Sequence, residues 1–117
     1  MAKLHISPEA RSDLRGIKEY IEAELENPTA AVDAVSKITK AIRGLVNFPD
    51  SGALLSSITN IPNNYRFLVC GSYLVFYRHE NGNVNVVRVL YGRRDYMKIL
   101  FGNMPEEDPE ADPEAAE

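Results

Sequence analysis

Apolar residues recur at helical spacing through the first half of the chain and at strand spacing through much of the second. Ala10, Leu14, Ile17, Ile21 and Leu25 follow one another at intervals of four, three, four and four, which lines them along one face of a helix. Ser7-Pro8-Glu9 supplies its start: a serine N-cap, a proline at the first helical position and an acid in the first turn. Arg11, Lys18, Glu19 and Glu22 fall on the opposite, polar face. Asn27-Pro28 repeats the start signal after a very short link, and Ala31, Val35, Ile38, Ile42 and Leu45 mark a second apolar stripe. This helix is expected to stop before Pro49, because the residue ahead of a proline avoids the helical region. So short a link between two amphipathic helices predicts an antiparallel helical hairpin, with both stripes turned to a core.

The second half follows a different rule. Residues 50–64 are rich in Ser, Gly, Asn and Pro and are expected to form a long loop. Residues 65–70, 73–78 and 84–91 are rich in β-branched and aromatic side chains, and residues 3–6 allow a further short strand at an edge. Gly71-Ser72 predicts a tight turn, and Asn81-Gly82-Asn83 predicts a hairpin, since asparagine and glycine accept positive φ. The expected fold is α+β: the helical hairpin packed on a small antiparallel sheet of about four strands. Along 73–78 both alternating sets are apolar, Tyr73, Val75 and Tyr77 against Leu74 and Phe76. One set faces the helices; the other is expected to face solvent unless a partner covers it, which would mark an interaction surface. Gly92 ends the last strand, and residues 94–101 leave room for a helical turn or two.

Composition narrows the picture. With 117 residues the chain fits one domain, expected over residues 1–103, followed by an acidic segment, 104–117, that has little to bury and is expected to be disordered. No apolar run reaches the roughly 20 residues of a membrane helix, and the first residues lack a secretory signal, so a cytoplasmic protein is expected. One cysteine, Cys70, excludes an internal disulfide and reads as a small buried hydrophobe. His5 and His79 have no carboxylate at ligand spacing, so no metal and no small-molecule cofactor are expected.

The formal net charge of −4 hides an asymmetry. All 13 bases lie in residues 1–103 against 10 acids, a net +3, while the seven remaining acids crowd into 104–117. Arg66, Arg78, Arg88, Arg93, Arg94 and Lys98 face only Glu80 and Asp95 between residues 61 and 103, which suggests an anionic partner. The strand arginines Arg66, Arg78 and Arg88 are equally readable as surface charges or as pairs with Glu80 or Asp95. Arg93 and Arg94, at a strand end, are placed to offer a guanidinium to a phosphate or carboxylate. Asp95 reads as a cap for the following helical turn.

The ordered set now has a counterpart. A helical hairpin, then Asn64-Tyr65-Arg66-Phe67, Gly71-Ser72-Tyr73-Leu74-Val75-Phe76-Tyr77-Arg78 and Val87-Arg88-Val89-Leu90-Tyr91-Gly92-Arg93-Arg94-Asp95, resembles the RelE/ParE superfamily of toxins over residues 3–102. The resemblance implies a toxin wrapped and neutralised by a cognate antitoxin. Its RelE-like members cut messenger RNA on the ribosome, and its ParE-like members block DNA gyrase. Cleavage through a ribose 2′-hydroxyl needs a base, cations for the phosphorane and a donor for the leaving oxygen. Matched to the RelE-like pattern, two of these roles fall on Arg66 and Arg94. The lysine positions fall on Ser56-Ser57-Ile58-Thr59, which holds no base, and the C-terminal tyrosine position falls on Leu100. Tyr96 and Lys98 replace those groups only by a rearrangement. The run from Gly71 to Arg78, with residues 87–92 and Arg94-Asp95, is more similar to ParE toxins. The resemblance therefore implies gyrase as the leading target and Arg66, Arg78, Arg88, Arg93, Arg94, Tyr96 and Lys98 as the contact set. The alternatives are a ribosome-dependent endonuclease using Arg66 and Arg94, or a non-toxic remnant that only binds an antitoxin.

Overall fold

The computed structural model describes residues 2–102. Strand β1 (Lys3–Ile6) leads into helices α1 (Pro8–Glu24) and α2 (Pro28–Gly44). After them come the two-residue strand β2 (Ala53–Leu54), a 3₁₀ turn at Leu55–Ser57, strands β3 (Tyr65–Cys70), β4 (Tyr73–Glu80) and β5 (Asn83–Tyr91), and the short helix α3 (Tyr96–Phe101). The sheet order is β1-β5-β4-β3-β2, with β1 parallel to β5 and the other pairs antiparallel. The sheet thus has five strands rather than about four. The extra one, β2, comes from the stretch expected to be loop; its two residues are too few for any periodicity to betray them. The acidic segment expected from residue 104 lies outside the described residues.

Both helix starts form as the sequence dictates. Ser7 Oγ accepts from Ala10 N (2.9 Å), and Asn27 Oδ1 accepts from Ala30 N (3.0 Å), each ahead of a proline at N1. Ala10, Ile17 and Ile21 of α1 are buried with Ala31, Ile38 and Ile42 of α2 against Val75, Tyr77, Val84, Val86 and Val89 of the sheet. Leu25 leaves the expected stripe: as the C-cap residue of α1 it is 59% exposed.

The turns follow their chemistry. Asn81 and Gly82 both have positive φ (53° and 76°), the pair that a two-residue hairpin with native twist requires. Further along β5 the register slips: Tyr77 pairs with Val86 but Phe76 pairs with Arg88, so Val87 is an extra, bulged residue. Strict alternation from Val84 and Val86 would aim Arg88 into the helix-side core. The bulge gives that place to Val89 and turns Leu90 to the other face.

That other face is not open. Phe76, Leu90 and Leu55 are fully buried there beneath Tyr96, Ile99, Leu100 and Phe101 of α3. The apolar set expected to await a partner is covered by the chain's own last helix. Leu74 and Phe76 do share that second face, but residues 94–101 are too short for periodicity to show that their apolar side folds back over it.

Candidate functional site

The cationic residues singled out in the sequence do not form one cluster. Arg88 is held by α1: its Nε and Nη2 donate to the two oxygens of Asp13, each at 2.8 Å. Asp13 Oδ2 also accepts from Val89 N (2.9 Å), so one carboxylate binds both a guanidinium and the strand edge that β1 leaves uncovered. The Asp13 hydrogen bond raises the Arg88 pKa further, fixing its charge. The partner expected in Glu80 or Asp95 is instead an acid 75 residues earlier.

Arg66 is held as well. Its Nη1 donates to the carbonyls of Gly52 (2.8 Å) and Asp50 (3.2 Å), and its Nε lies 3.5 Å from the Asp50 carboxylate. The same segment is gripped by Tyr77, whose buried hydroxyl donates to Pro49 O (2.8 Å) and accepts from Gly52 N (2.9 Å). His79 closes the clamp, its Nδ1 at 2.8 Å from Asp50 Oδ1. Arg66, Tyr77 and His79 therefore tie residues 49–52 to the sheet.

Within this clamp the hydrogen bond from His79, helped by the charge of Arg66, holds the Asp50 carboxyl below the usual carboxylate range. A depressed folded pKa means stability that is present above the ordinary carboxylate value and lost as pH falls through the folded one. The difference in Tm between the wild type and Asp50→Asn is accordingly expected to close as pH falls below about 4. Thermal melts across an acid titration check this, and a gap that persists there would contradict it. Asp50 is exposed, so the effect should be small.

Arg78 lies over the Tyr65 ring, 5.2 Å from its centroid, with its Nε buried and without a hydrogen-bond partner among the described residues. Tyr96 belongs to the packing under α3, its ring 5.2 Å from that of Phe76. Asp95 caps α3 by accepting from Lys98 N (3.2 Å), as its sequence position implies. Arg93, Arg94 and Lys98 are exposed, and none makes an ion pair among the described residues.

Arg94 does lie at a recess. A groove of 760 Å³ runs between the flank of α1 and the end of β5, lined by Ile17, Tyr20, Ile21, Leu25, Tyr73, Tyr91 and, at its polar margin, Asp13 and Arg94. Gly92 N bonds Ser72 O (2.8 Å) and Arg94 N bonds Tyr91 O (2.9 Å), and these two bonds set the turn that carries Arg94 to the groove. Tyr20, Leu25 and Tyr91, three of the exposed large apolar residues, meet here. Sequence reasoning missed this groove because its walls come from segments some seventy positions apart. Asp13 and Gly52 escaped notice too, since neither stands in a recognisable motif.

Register separates the two arginines that a nuclease would bring together. Arg66 pairs across from Tyr77, whereas Arg94 follows Tyr91, which pairs with Tyr73 four residues along β4. Tyr91, where the turn to Arg94 begins, is thus offset from Arg66 by about 13 Å along the sheet. Arg66 is also turned onto residues 49–52, away from the strand end that leads to Arg94 by register. Among the described residues no group of three or more His, Cys, Asp or Glu side chains is arranged to hold a metal. No described helix is long and apolar enough to cross a membrane.

The profile of the ParE toxin of type II toxin–antitoxin systems, parDE, matches residues 4–96, which include the hairpin, all five strands but for Lys3 of β1, and the Arg93-Arg94 turn. The chain belongs to the ParE toxin family. It is thus the toxin component of a type II toxin–antitoxin pair, with an antitoxin as its partner. Among solved structures, a chain described as "Chromosomal ParDE TA system from P. aeruginosa" superposes with a TM-score of 0.66 at 22% identity. The match covers 78% of this chain and 96% of that one. At that identity the likeness speaks for the fold. No curated protein matches the chain.

Proposed function

We propose that this ParE-family chain arrests growth in the cytoplasm by binding DNA gyrase, and that its antitoxin prevents this by occupying the toxin's own binding surface. The observation that carries the reading is the fate of the two arginines. Arg66 is consumed in fastening residues 49–52, and Arg94 stands apart beside an apolar groove. RNA cleavage needs cations converging on one phosphate together with a base and an acid. An exposed arginine at the margin of an apolar, tyrosine-lined recess is instead the composition of a protein-binding surface, where aromatic residues and arginine dominate the energetics.

Arg93, Arg94 and Lys98 form the exposed cationic part of this surface; Arg66 and Arg88 act through the scaffold. Arg94→Glu is expected to abolish growth arrest while leaving Tm within about 1–2 °C, because the side chain makes no hydrogen bond or ion pair among the described residues. Induction of the two chains without antitoxin, followed by growth curves, checks it. Growth arrest by the variant equal to that by the wild type would remove Arg94 from the target contact. Arrest accompanied by cut messages would mark a nuclease, and no arrest by the wild type would mark a chain that only binds an antitoxin.

A further inference from the structure

The sheet face beneath α3 is covered over only part of its extent. α3 ends with Phe101 edge-on to the Tyr65 ring, at 5.6 Å, and beyond that contact the same face continues as two polar rows. Arg78 shares this face with Phe76, two residues back in β4. Across the strands it stands in register with Tyr65 of β3, with Asn85 of β5 and, through Asn85, with His5 of β1. The next row holds Glu80, Asn83 and Lys3. His5 and Lys3 are exposed, and neither Arg78 nor Lys3 makes an ion pair among the described residues. Glu80, the acid in these rows, accepts from Asn64 Nδ2. Arg78, singled out by the sequence, thus sits at the head of a cationic strip on the face away from the helical hairpin.

We propose that the chain's own acidic segment, residues 104–117, docks across this strip, with Glu106, Glu107 and Asp108 at Arg78 and with Glu110 and Asp112 toward His5 and Lys3. The point at which α3 ends supports this path. Phe101 touches Tyr65, and Arg78 lies on the Tyr65 ring, so the chain passes Gly102 beside the head of the strip. The four residues from Asn103 to Glu106 reach up to about 14 Å, enough to cover the two ring contacts between Phe101 and Arg78. From Arg78 to His5 is two strand spacings, about 10 Å, which three extended residues cross. Pro105, Pro109 and Pro113 favour such an extended course over a helix.

Charge selects the same occupant. Residues 104–117 carry seven acids and no base, whereas the residues before them carry 13 bases against 10 acids. Arg78, Lys3 and the donors of Asn85 and His5 can all meet carboxylates. Being covalently attached, the segment faces the strip at a high effective concentration, so contacts that are weak one by one can hold it there. The groove beside Arg94 is lined by α1 and the end of β5 and stays open in this arrangement.

Lys3 supplies the test, because it lies about a hundred positions from the acids it would meet. The full chain, alone and dilute, is treated with a carbodiimide, which joins a carboxylate to an amine only where the two are in contact. Crosslinks in the monomer are mapped by mass spectrometry for the wild type, for Arg78→Gln, and for Glu106→Gln with Glu107→Gln and Asp108→Asn. The triple variant alters only residues outside the described fold, so it remains informative if Arg78→Gln fails to fold. The expected result is a crosslink from Lys3 to Glu110, Asp112 or Glu114 whose yield falls at least about threefold in each folded variant. The absence of that crosslink would overturn the proposal. An equal yield in either folded variant would also overturn it, since Lys3 would then be meeting the segment by random collision. Crosslinks confined to dimers would mean that the strip takes the acidic segment of a second copy, and would overturn it as well.

Discussion

Asp13→Ala is expected to lower stability by about 2–4 kcal/mol, a fall of roughly 10–20 °C in Tm for a domain of this size. The estimate comes from what is left behind. Asp13 is only 12% exposed, and its two oxygens accept from Arg88 Nε, Arg88 Nη2 and Val89 N. Removing it strands a guanidinium at the bulge of β5 and an amide on a strand edge that β1 has ceased to cover. Asp13→Asn keeps an acceptor for Val89 but loses the charge and the two-point grip on Arg88, so an intermediate loss is expected. Urea or thermal unfolding of the two variants, with Arg88→Ala to close a double-mutant cycle, separates the contributions. Wild-type stability of Asp13→Ala would mean that the pair is an ordinary surface contact. Asp13 also borders the groove, so this variant is suited to measuring stability rather than partner binding.

Gly52→Ala is expected to cost about 1–3 kcal/mol although it adds one methyl group. A Cβ there would lie 2.7 Å from Tyr77 Oη, 2.8 Å from Phe67 O and 2.8 Å from Tyr77 Cε1. Two of these neighbours cannot give way cheaply. Phe67 O is backbone in the sheet, and the Tyr77 ring is fully buried with its hydroxyl bonded to Pro49 and Gly52. The methyl must therefore push residues 49–52 off the sheet, loosening the contacts of Arg66 and His79 as well. Melting temperature and amide exchange at residues 49–52 read the effect. Unchanged exchange would show that the segment adapts without releasing its clamp.

These positions show what kind of information the sequence carried. The hairpin was legible because each helix announces itself locally, by a cap, a proline and a stripe. The three long strands were legible because Gly71-Ser72 and Asn81-Gly82 punctuate them. The bulge at Val87 was not legible, since alternation alone cannot say where it will be broken, and it is the bulge that keeps Arg88 out of the helix-side core. The cover over Phe76 was missed for a related reason: a six-residue helix has too few turns to display an apolar face. For the site, the sequence pointed to the arginines but could not sort them. Side chains identical in a sequence became a strand anchor at Arg88, a loop fastener at Arg66, a partner of an aromatic ring at Arg78 and an exposed side chain beside a groove at Arg94. The sorting comes from Asp13, Asp50 and Tyr65, which tertiary structure brings to them.

On the proposed function, that sorting is also what separates a protein-binding toxin from a nuclease. It implies that Arg66→Lys, with Tm restored to near the wild-type value, leaves the toxic activity largely intact, whereas Arg94→Glu removes it. The most direct measurement is made on the wild-type chain itself. Purified toxin is added to gyrase with relaxed plasmid and ATP, and in parallel to translating ribosomes whose messages are mapped for cuts. The account predicts blocked supercoiling, relieved by the antitoxin, with messages intact; normal supercoiling together with ribosome-dependent cleavage would contradict it.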